Sequence, residues 1–168
     1  MKCEAASLLQ FNLQLLDQAL ALVDAHDAPG APAYARYAGP HLRHVIEHYE
    51  ALLFAPRSSV VDYDTRARDR ELEQNPGLAR ERLRQLALHL KHWPEIALAA
   101  PIAVHTRGGP AGEFEFATRS SVGRELVYVA SHAVHHFALL QIYCVQHGIS
   151  MTTNFGKAPA TVAHELRS

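Results

Sequence analysis

The sequence predicts an all-α protein: an up-and-down four-helix bundle with a small β-hairpin between the third and fourth helices. Four long segments repeat apolar residues at helical spacing, and prolines, glycines or capping side chains bound them. One further segment alternates apolar and polar residues around a glycine-rich turn, which is typical of a hairpin. The 168 residues suit a single domain, residues 1–168, that is long enough to bury a core.

The first two predicted helices have clear apolar stripes and clear ends. The first covers roughly residues 4–26 and ends at the stretch HDAPGAP, whose prolines and glycine break a helix. The second starts after Gly39 and Pro40, because proline is favoured in a first turn, and it runs to Pro56. Its buried stripe is predicted to contain Leu42, Val45, Ile46, Tyr49, Leu52 and Leu53.

The third predicted helix follows a long polar connection. Residues 57–77 read RSSVVDYDTRARDRELEQNPG and are predicted to form a loop that lies across the bundle. The helix begins near Asn75 and Pro76, a capping residue and a favoured first position, and it ends at Pro94. Residues 101–118 then form the predicted hairpin, which turns at a run of glycines with one proline.

The fourth predicted helix is the longest apolar segment of the chain. It opens after Ser120 and Ser121, either of which can cap it, and it ends at Gly148, a residue type favoured just beyond a helix. The remaining tail is predicted to hold one short helix after Pro159.

Composition narrows the class of function. The 16 basic and 17 acidic residues nearly cancel, and no basic stripe is interleaved with aromatics, so nucleic acid is not an expected partner. Cys3 and Cys144 form no CxxC pair, which argues against a thiolate metal site or a disulfide framework. Polar residues interrupt the leucines of the first segment, so we expect a cytoplasmic protein without a signal peptide or membrane span. The 12 histidines are unusually many and hint at metal or acid–base chemistry.

Histidines on two predicted helices form the main candidate site. In SHAVHHFALL (131–140), His132 and His136 lie about one turn apart, within about 40 degrees around the helix, so both can reach one ion. The second helix carries His41, His44 and His48 as a stripe, and His44 lies where it can point inward. We predict a divalent-metal site formed by one histidine of the second helix together with His132 and His136, with open coordination positions. The competing interpretation makes these histidines partners of carboxylates such as Glu47, Glu50 or Glu125.

Two stretches of this chain resemble the DinB-like family of metal-binding bundles. They are GPHLRHVIEHYEALL (39–53) and SSVGRELVYVASHAVHHFALL (120–140), and with the FGKAP segment of the tail the likeness covers most of the chain. The resemblance implies an up-down-down-up bundle, often dimeric, in which His44, His132 and His136 hold a divalent ion. His48 falls where relatives vary, which makes it a supporting group or an alternate ligand. Many relatives continue with Arg and then Gln where this chain has Phe137, Ala138 and Leu139, so the rim of this pocket is more apolar.

The resemblance also implies a function. The first hypothesis is a metal-dependent enzyme, a thiol S-transferase or hydrolase, that uses zinc, nickel or iron and a small-molecule substrate. The second is a bundle without catalysis, a metal-binding or dimeric stress-response or interaction module. A third makes Cys144 a redox thiol, although a small core residue is the commoner role. No catalytic residue is assigned, and the groups considered for orienting ligands or moving protons are Glu47, Glu125, Tyr128 and Tyr143.

Overall fold

The computed structural model describes residues 2–54 and 60–167. Its four long helices are α1 (Lys2–Ala25), α2 (Ala38–Leu53), α4 (Pro76–Lys91) and α5 (Val122–Gln146). Two short helices are α3 (Arg70–Gln74) and α6 (Pro159–Glu165), and single 3-10 turns cover Tyr34–Arg36 and Glu95–Ala99. The strands are β1 (Val60–Asp62), β2 (Pro101–Gly108) and β3 (Phe114–Ser121). The predicted helix end at Pro56 and the start of the predicted loop lie outside the described residues.

The predicted fold class is wrong, because a three-stranded mixed sheet accompanies the helices. The strand order is β1-β2-β3; β1 pairs parallel to β2, with Val61 opposite Val104, whereas β2 and β3 are antiparallel. Within the described residues, the segment predicted to be a loop holds both β1 and α3. A three-residue strand is too short to show a periodic pattern, and its partner lies about forty residues further along the chain.

The helices also pack differently from a simple up-and-down bundle. Such a bundle would place α1 beside α2, but α1 packs mainly on α4 and α5, and α2 packs on the same two helices. As a result α2 and α5 lie side by side. These are the two helices that carry the candidate ligands.

Local capping determines where three helices begin. The side chain of Asn75 accepts the N–H of Leu78 at 3.1 Å, and Pro76 occupies the first turn of α4. Ser121 caps α5 in the same way by accepting the N–H of Arg124 at 3.2 Å. These two starts are those predicted from the sequence. The start of α3, where Asp69 accepts from the N–H of Glu71 at 3.0 Å, was missed.

The core is mainly apolar, and one of its buried polar side chains, Asn12, is fully paired. All six residues predicted for the stripe of α2 are buried. Asn12 is completely buried as well, and its side-chain oxygen accepts from the hydroxyl of Tyr49 at 2.8 Å while its amide donates to the Leu8 carbonyl at 2.9 Å. Because both polar ends are bonded, burial of this amide does not carry the cost of an unpaired group.

The tail after α5 packs closely on that helix. Phe155 is buried and stacks on Phe137, with ring centroids 5.2 Å apart. Gly156 has a φ of +72°, and a Cβ placed there would lie 2.7 Å from the carbonyl carbon of Phe137. A glycine is therefore required for the chain to cross α5 here. Among the described helices, none is long and apolar enough to cross a membrane.

Candidate metal centre

Packing of α2 on α5 brings the three predicted ligands together. The Nε2 of His132 lies 2.9 Å from the Nε2 of His44 and 3.2 Å from the Nε2 of His136. One ring nitrogen from each of the three residues falls in a group whose members all lie within 4.8 Å of one another. The three residues predicted as ligands therefore lie close together, and their binding of a metal stays a prediction.

The spacing of these nitrogens matches that of a coordination shell. With metal–nitrogen bonds of about 2.0–2.1 Å, neighbouring ligands are about 3.3 Å apart in a tetrahedron and about 2.9 Å apart in an octahedron. The two separations from the Nε2 of His132, 2.9 and 3.2 Å, fall in this interval. These two pairs therefore already have the spacing that a shared ion needs.

Bare nitrogens this close repel one another unless something positive lies between them. A neutral imidazole carries a hydrogen on one nitrogen and a lone pair on the other. Without a cation, at least one nitrogen of each close pair must therefore carry a hydrogen that points toward the other. With an ion bound to all three Nε2 atoms, the single hydrogen of each neutral ring would lie on Nδ1 instead. The geometry thus serves either a hydrogen-bonded cluster or a metal site.

His48 lies beside the triad, which is the set of His44, His132 and His136, but its own two ring nitrogens contact other groups. Its Nδ1 donates to the carbonyl of His44 at 2.7 Å, and its Nε2 faces the guanidinium of Arg66 at 3.4 Å. The ring itself packs against that of His132, with centroids 4.4 Å apart. In this arrangement His48 supports the triad by packing, and its predicted role as an alternate ligand requires Arg66 to move.

Arg66 is a neighbour of the candidate ligands that sequence reasoning missed. Its side chain is only 11% exposed, and its Nη2 lies 3.2 Å from the Nδ1 of His44. It also donates to the carbonyl of Tyr63 and faces the buried carboxylate of Glu47 at 3.7 Å. Arg66 follows β1 in the segment predicted to be a loop, where no periodic pattern indicates a contact with α2.

His41 is the second group that sequence reasoning left out of the site. Its Nδ1 lies 2.8 Å from the Nδ1 of His136, on the side of that ring away from the triad. The ring of Tyr37 packs against His41 with centroids 4.9 Å apart, and Tyr37 in turn stacks on Tyr143 at 4.5 Å. A signal existed, since His41 lies three residues before His44 on the same helix.

The carboxylates considered as histidine partners bond to other groups. Glu125 is buried and accepts from the hydroxyls of Tyr63 at 3.0 Å and Ser120 at 2.6 Å. Glu47 is buried and accepts the N–H of Asp69 at 2.7 Å.

Glu50 likewise pairs with Arg82 at 2.5 and 2.6 Å. Within the described part of the chain, the hydrogen bonds of these three carboxylates go to groups other than histidines, contrary to the competing interpretation. Of the tyrosines, Tyr128 stacks near His132, with centroids 5.9 Å apart.

Cys144 is a poor candidate for thiol chemistry. It is 1% exposed, and burial raises the pKa of its thiol to about 11. A reactive cysteine needs the opposite shift, because the thiolate is the nucleophile. Its environment is that of a small core residue.

Five neighbouring histidines have lowered pKa values and are neutral at physiological pH: His41, His44, His48, His132 and His136. Burial away from water, followed by the neighbouring imidazoles, lowers the pKa of His44 to about 2 and that of His136 to about 3. Burial is also the largest cause that lowers the pKa of His48, to about 4, and those of His41 and His132. A metal needs such unprotonated nitrogens, so the site does not have to lose protons before an ion binds.

These lowered pKa values predict acid sensitivity of the metal-free protein. Unfolded histidines take up protons near pH 6.5, whereas the clustered ones resist to much lower pH, so the unfolded state binds more protons below about pH 6.5. The free energy of unfolding should therefore fall as the pH drops from 7 to 5. Urea unfolding in the presence of a chelator measures it. The variant His44→Gln should show a shallower slope, and an equal or steeper slope in that variant would contradict the assignment.

Comparison with known proteins gives one partial match. No protein-family model matches the chain, and no solved structure matches it. Among curated proteins, it is 31% identical over 106 residues to a protein named FK506-binding protein 5 from Rhizopus delemar. The match covers 63% of this chain and 28% of that protein, so the chain spans well under a third of its relative.

These comparisons overturn two predictions. The assignment to the DinB-like family does not stand, because no family model matches and the curated match is to a protein named for binding FK506. The same match contradicts the predicted metal-dependent thiol transferase or hydrolase, and it lends no specific support to the alternative module without catalysis. The homodimer and the absence of a nucleic-acid partner stay predictions.

Proposed function

We propose that this protein binds one divalent transition-metal ion through His44, His132 and His136. The observation that carries the proposal is the convergence of one ring nitrogen from each of three histidines, with the Nε2 of His132 2.9 and 3.2 Å from those of the other two. Imidazole nitrogen suits zinc, nickel and iron(II), and availability decides among such ions as much as affinity does. The proposal concerns binding alone and assigns no reaction to the ion.

The site is open rather than closed. Three protein ligands leave at least one position of a tetrahedral ion, or three of an octahedral ion, for water or an external ligand. All three ligands are only partly buried, so the ion can be reached from solvent. A closed structural site would instead supply four protein ligands.

Arg66 opposes binding and so sets the affinity. When a metal occupies the Nε2 of a neutral His44, the hydrogen must sit on Nδ1, which then cannot accept from the guanidinium 3.2 Å away. Arg66 also places a positive charge close to the ion. Binding must therefore displace Arg66 from His44, which costs part of the binding free energy.

Replacing Arg66 with methionine should tighten metal binding. The substitution removes a repelling charge and frees the Nδ1 of His44, and we expect affinity for zinc to rise about tenfold. Calorimetric titration of the two proteins measures the difference. Arg68→Met is the matched control, since Arg68 lies on the same segment but is exposed and donates to the carbonyl of Asp64. Weaker binding by Arg66→Met would show that Arg66 supports the ion instead.

The function itself is tested by metal content. Protein made without a histidine tag, stripped with a chelator and titrated with zinc or cobalt(II), should take up one ion per chain. A variant with glutamine at positions 44, 132 and 136 should take up none, while His92→Gln, a change to the exposed histidine just after α4, should bind as the wild type does. Wild-type protein that takes up no ion at micromolar concentrations would reject the proposal.

Binding of FK506 is a second candidate function. The match to a protein named for this ligand supports it, together with a surface hollow of about 760 Å³ between β2, β3 and the segment after β1. Its lining includes Asp64, Arg68, Arg107 and Phe116. We expect FK506 to raise the melting temperature in proportion to the logarithm of its concentration. A melting temperature that FK506 leaves unchanged would remove this candidate without affecting the metal proposal.

A further inference from the structure

The hydrogen bond between His41 and His136 has a defined direction once a metal is bound. The two Nδ1 atoms lie 2.8 Å apart, so one of them must carry the hydrogen and the other must accept it. If the Nε2 of a neutral His136 binds an ion, its only hydrogen sits on Nδ1. His41 must then be the acceptor, with its own hydrogen on Nε2.

We propose that His41 is a positioning residue of the metal site, whose Nδ1 accepts the Nδ1–H of His136 and leaves the Nε2 of His136 bare and aimed at the ion. The inference rests on the proposed function and deepens it. Metal-binding histidines commonly donate their second N–H to a carboxylate or a carbonyl, which fixes the ring and makes it a better ligand. Here an imidazole would take the part of that acceptor.

The surroundings of His41 hold it in the position that this role requires. The ring of Tyr37 packs against it, and Tyr37 is itself stacked on the buried Tyr143. His41 lies about one turn before His44 on α2, so the same helix presents both a ligand and the partner of a second ligand. His41 and His136 thereby join α2 to α5 on the far side of the ring from the ion.

His44 and His136 differ in the group that faces the Nδ1 of each ring. The Nδ1 of His44 faces a guanidinium, which can only donate, whereas the Nδ1 of His136 faces an imidazole, which can do either. Only the second arrangement is compatible with a metal on Nε2 without movement of the partner. The contact of His41 with His136 therefore favours metal binding, whereas the contact of Arg66 with His44 opposes it.

Substitutions of His41 that differ in hydrogen bonding test this inference. His41→Phe keeps a ring to pack on Tyr37 but removes the acceptor, and zinc affinity should fall about 10–100-fold. His41→Asn, whose side-chain oxygen can occupy the position of Nδ1, should restore affinity to near the wild-type value. His41→Asp supplies an acceptor that cannot donate and should bind zinc at least as tightly as the wild type. Competition against a chromophoric chelator measures each affinity.

Matched changes at His135 separate hydrogen bonding from charge and bulk. His135 is exposed, and its ring lies 5.6 Å from that of His136, centroid to centroid. His135→Phe should leave zinc affinity unchanged, and His135→Asp should raise it less than His41→Asp does. Nitrogen-15 spectra of the zinc-loaded wild type should also show the hydrogen of His136 on Nδ1.

The outcomes distinguish this inference from the proposed function. If the wild type binds no zinc, the proposed function fails and the role of His41 fails with it. If the wild type binds zinc and His41→Phe binds it equally tightly, only the role of His41 is overturned. If His41→Phe fails to fold, as judged by circular dichroism, the test uses the variants His41→Asp and His135→Asp. Equal changes in zinc affinity for these two variants overturn the inference. A larger increase for His41→Asp supports it.

Discussion

The variant His132→Ala is expected to lose the metal while keeping the fold. The Nε2 of His132 lies within 3.2 Å of both other ligand nitrogens, so its removal leaves two imidazoles with no third ligand between them. We expect affinity for zinc to fall at least about 100-fold, more than the loss typical of a supporting group. Because the ring is only partly buried, the free energy of unfolding of the metal-free protein should change little.

Elemental analysis and thermal melts with and without zinc measure both halves of this result. The melting temperature of the wild type should rise with zinc concentration, since an ion that binds only the folded state stabilises it, and that of the variant should not. His48→Ala is the control variant, and it should keep the ion, because the Nε2 of His48 faces Arg66 rather than the triad. A variant His132→Ala that still retains one ion per chain would place the site elsewhere.

A second large effect is expected from Gly39→Ala, this time on stability. Gly39 is buried in the first turn of α2, where a Cβ would overlap the carbonyl oxygen of Glu73 and lie 2.8 Å from its carbon. It would also meet the ring of Tyr34 at 3.0 Å. Because the obstacle is the backbone of α3, the helices must separate, and we expect a loss of about 3 kcal/mol in the free energy of unfolding.

Thermal melts measure this loss as a decrease of about 6–12 °C for a domain of this size. Gly77→Ala is the matched control in the first turn of α4. There a Cβ would meet only the side-chain oxygen of Asn75 within 4 Å, at 3.1 Å, and alanine favours a helix over glycine by up to about 1 kcal/mol. The control should be neutral or slightly more stable. Equal melting temperatures for Gly39→Ala and the wild type would mean that α2 and α3 can move apart freely.

Much of the helical content was predictable because its causes are local. The apolar stripe of α2 was predicted from spacing alone, and all of its residues are buried. Asn75 and Ser121 cap the helices whose starts they predicted, since a cap acts on a backbone N–H only three residues away. The long helices were predicted correctly, but the predicted fold class was wrong. The sheet and the packing of α1 on α4 and α5 depend on contacts between distant segments, which local patterns do not show.

Two parts of the candidate site follow from the sequence to different degrees. His132 and His136 had to lie near each other, because residues four apart on a helix share a face. Selecting His44 rather than His41 or His48 rested on its place within the apolar stripe of α2 and on the resemblance to the DinB-like family. The three imidazoles meet in one small volume because α2 packs on α5.

Helical periodicity and capping, which act over a few residues, establish where the long helices run and that two histidines of α5 share a face. The partners of those histidines depend instead on how distant segments pack. Arg66 reaches His44 because β1 pairs with a strand some forty residues away, and His41 meets His136 because α2 and α5 are neighbours. Contacts between distant segments depend on how apolar faces pack across the whole chain, which no short stretch of sequence encodes.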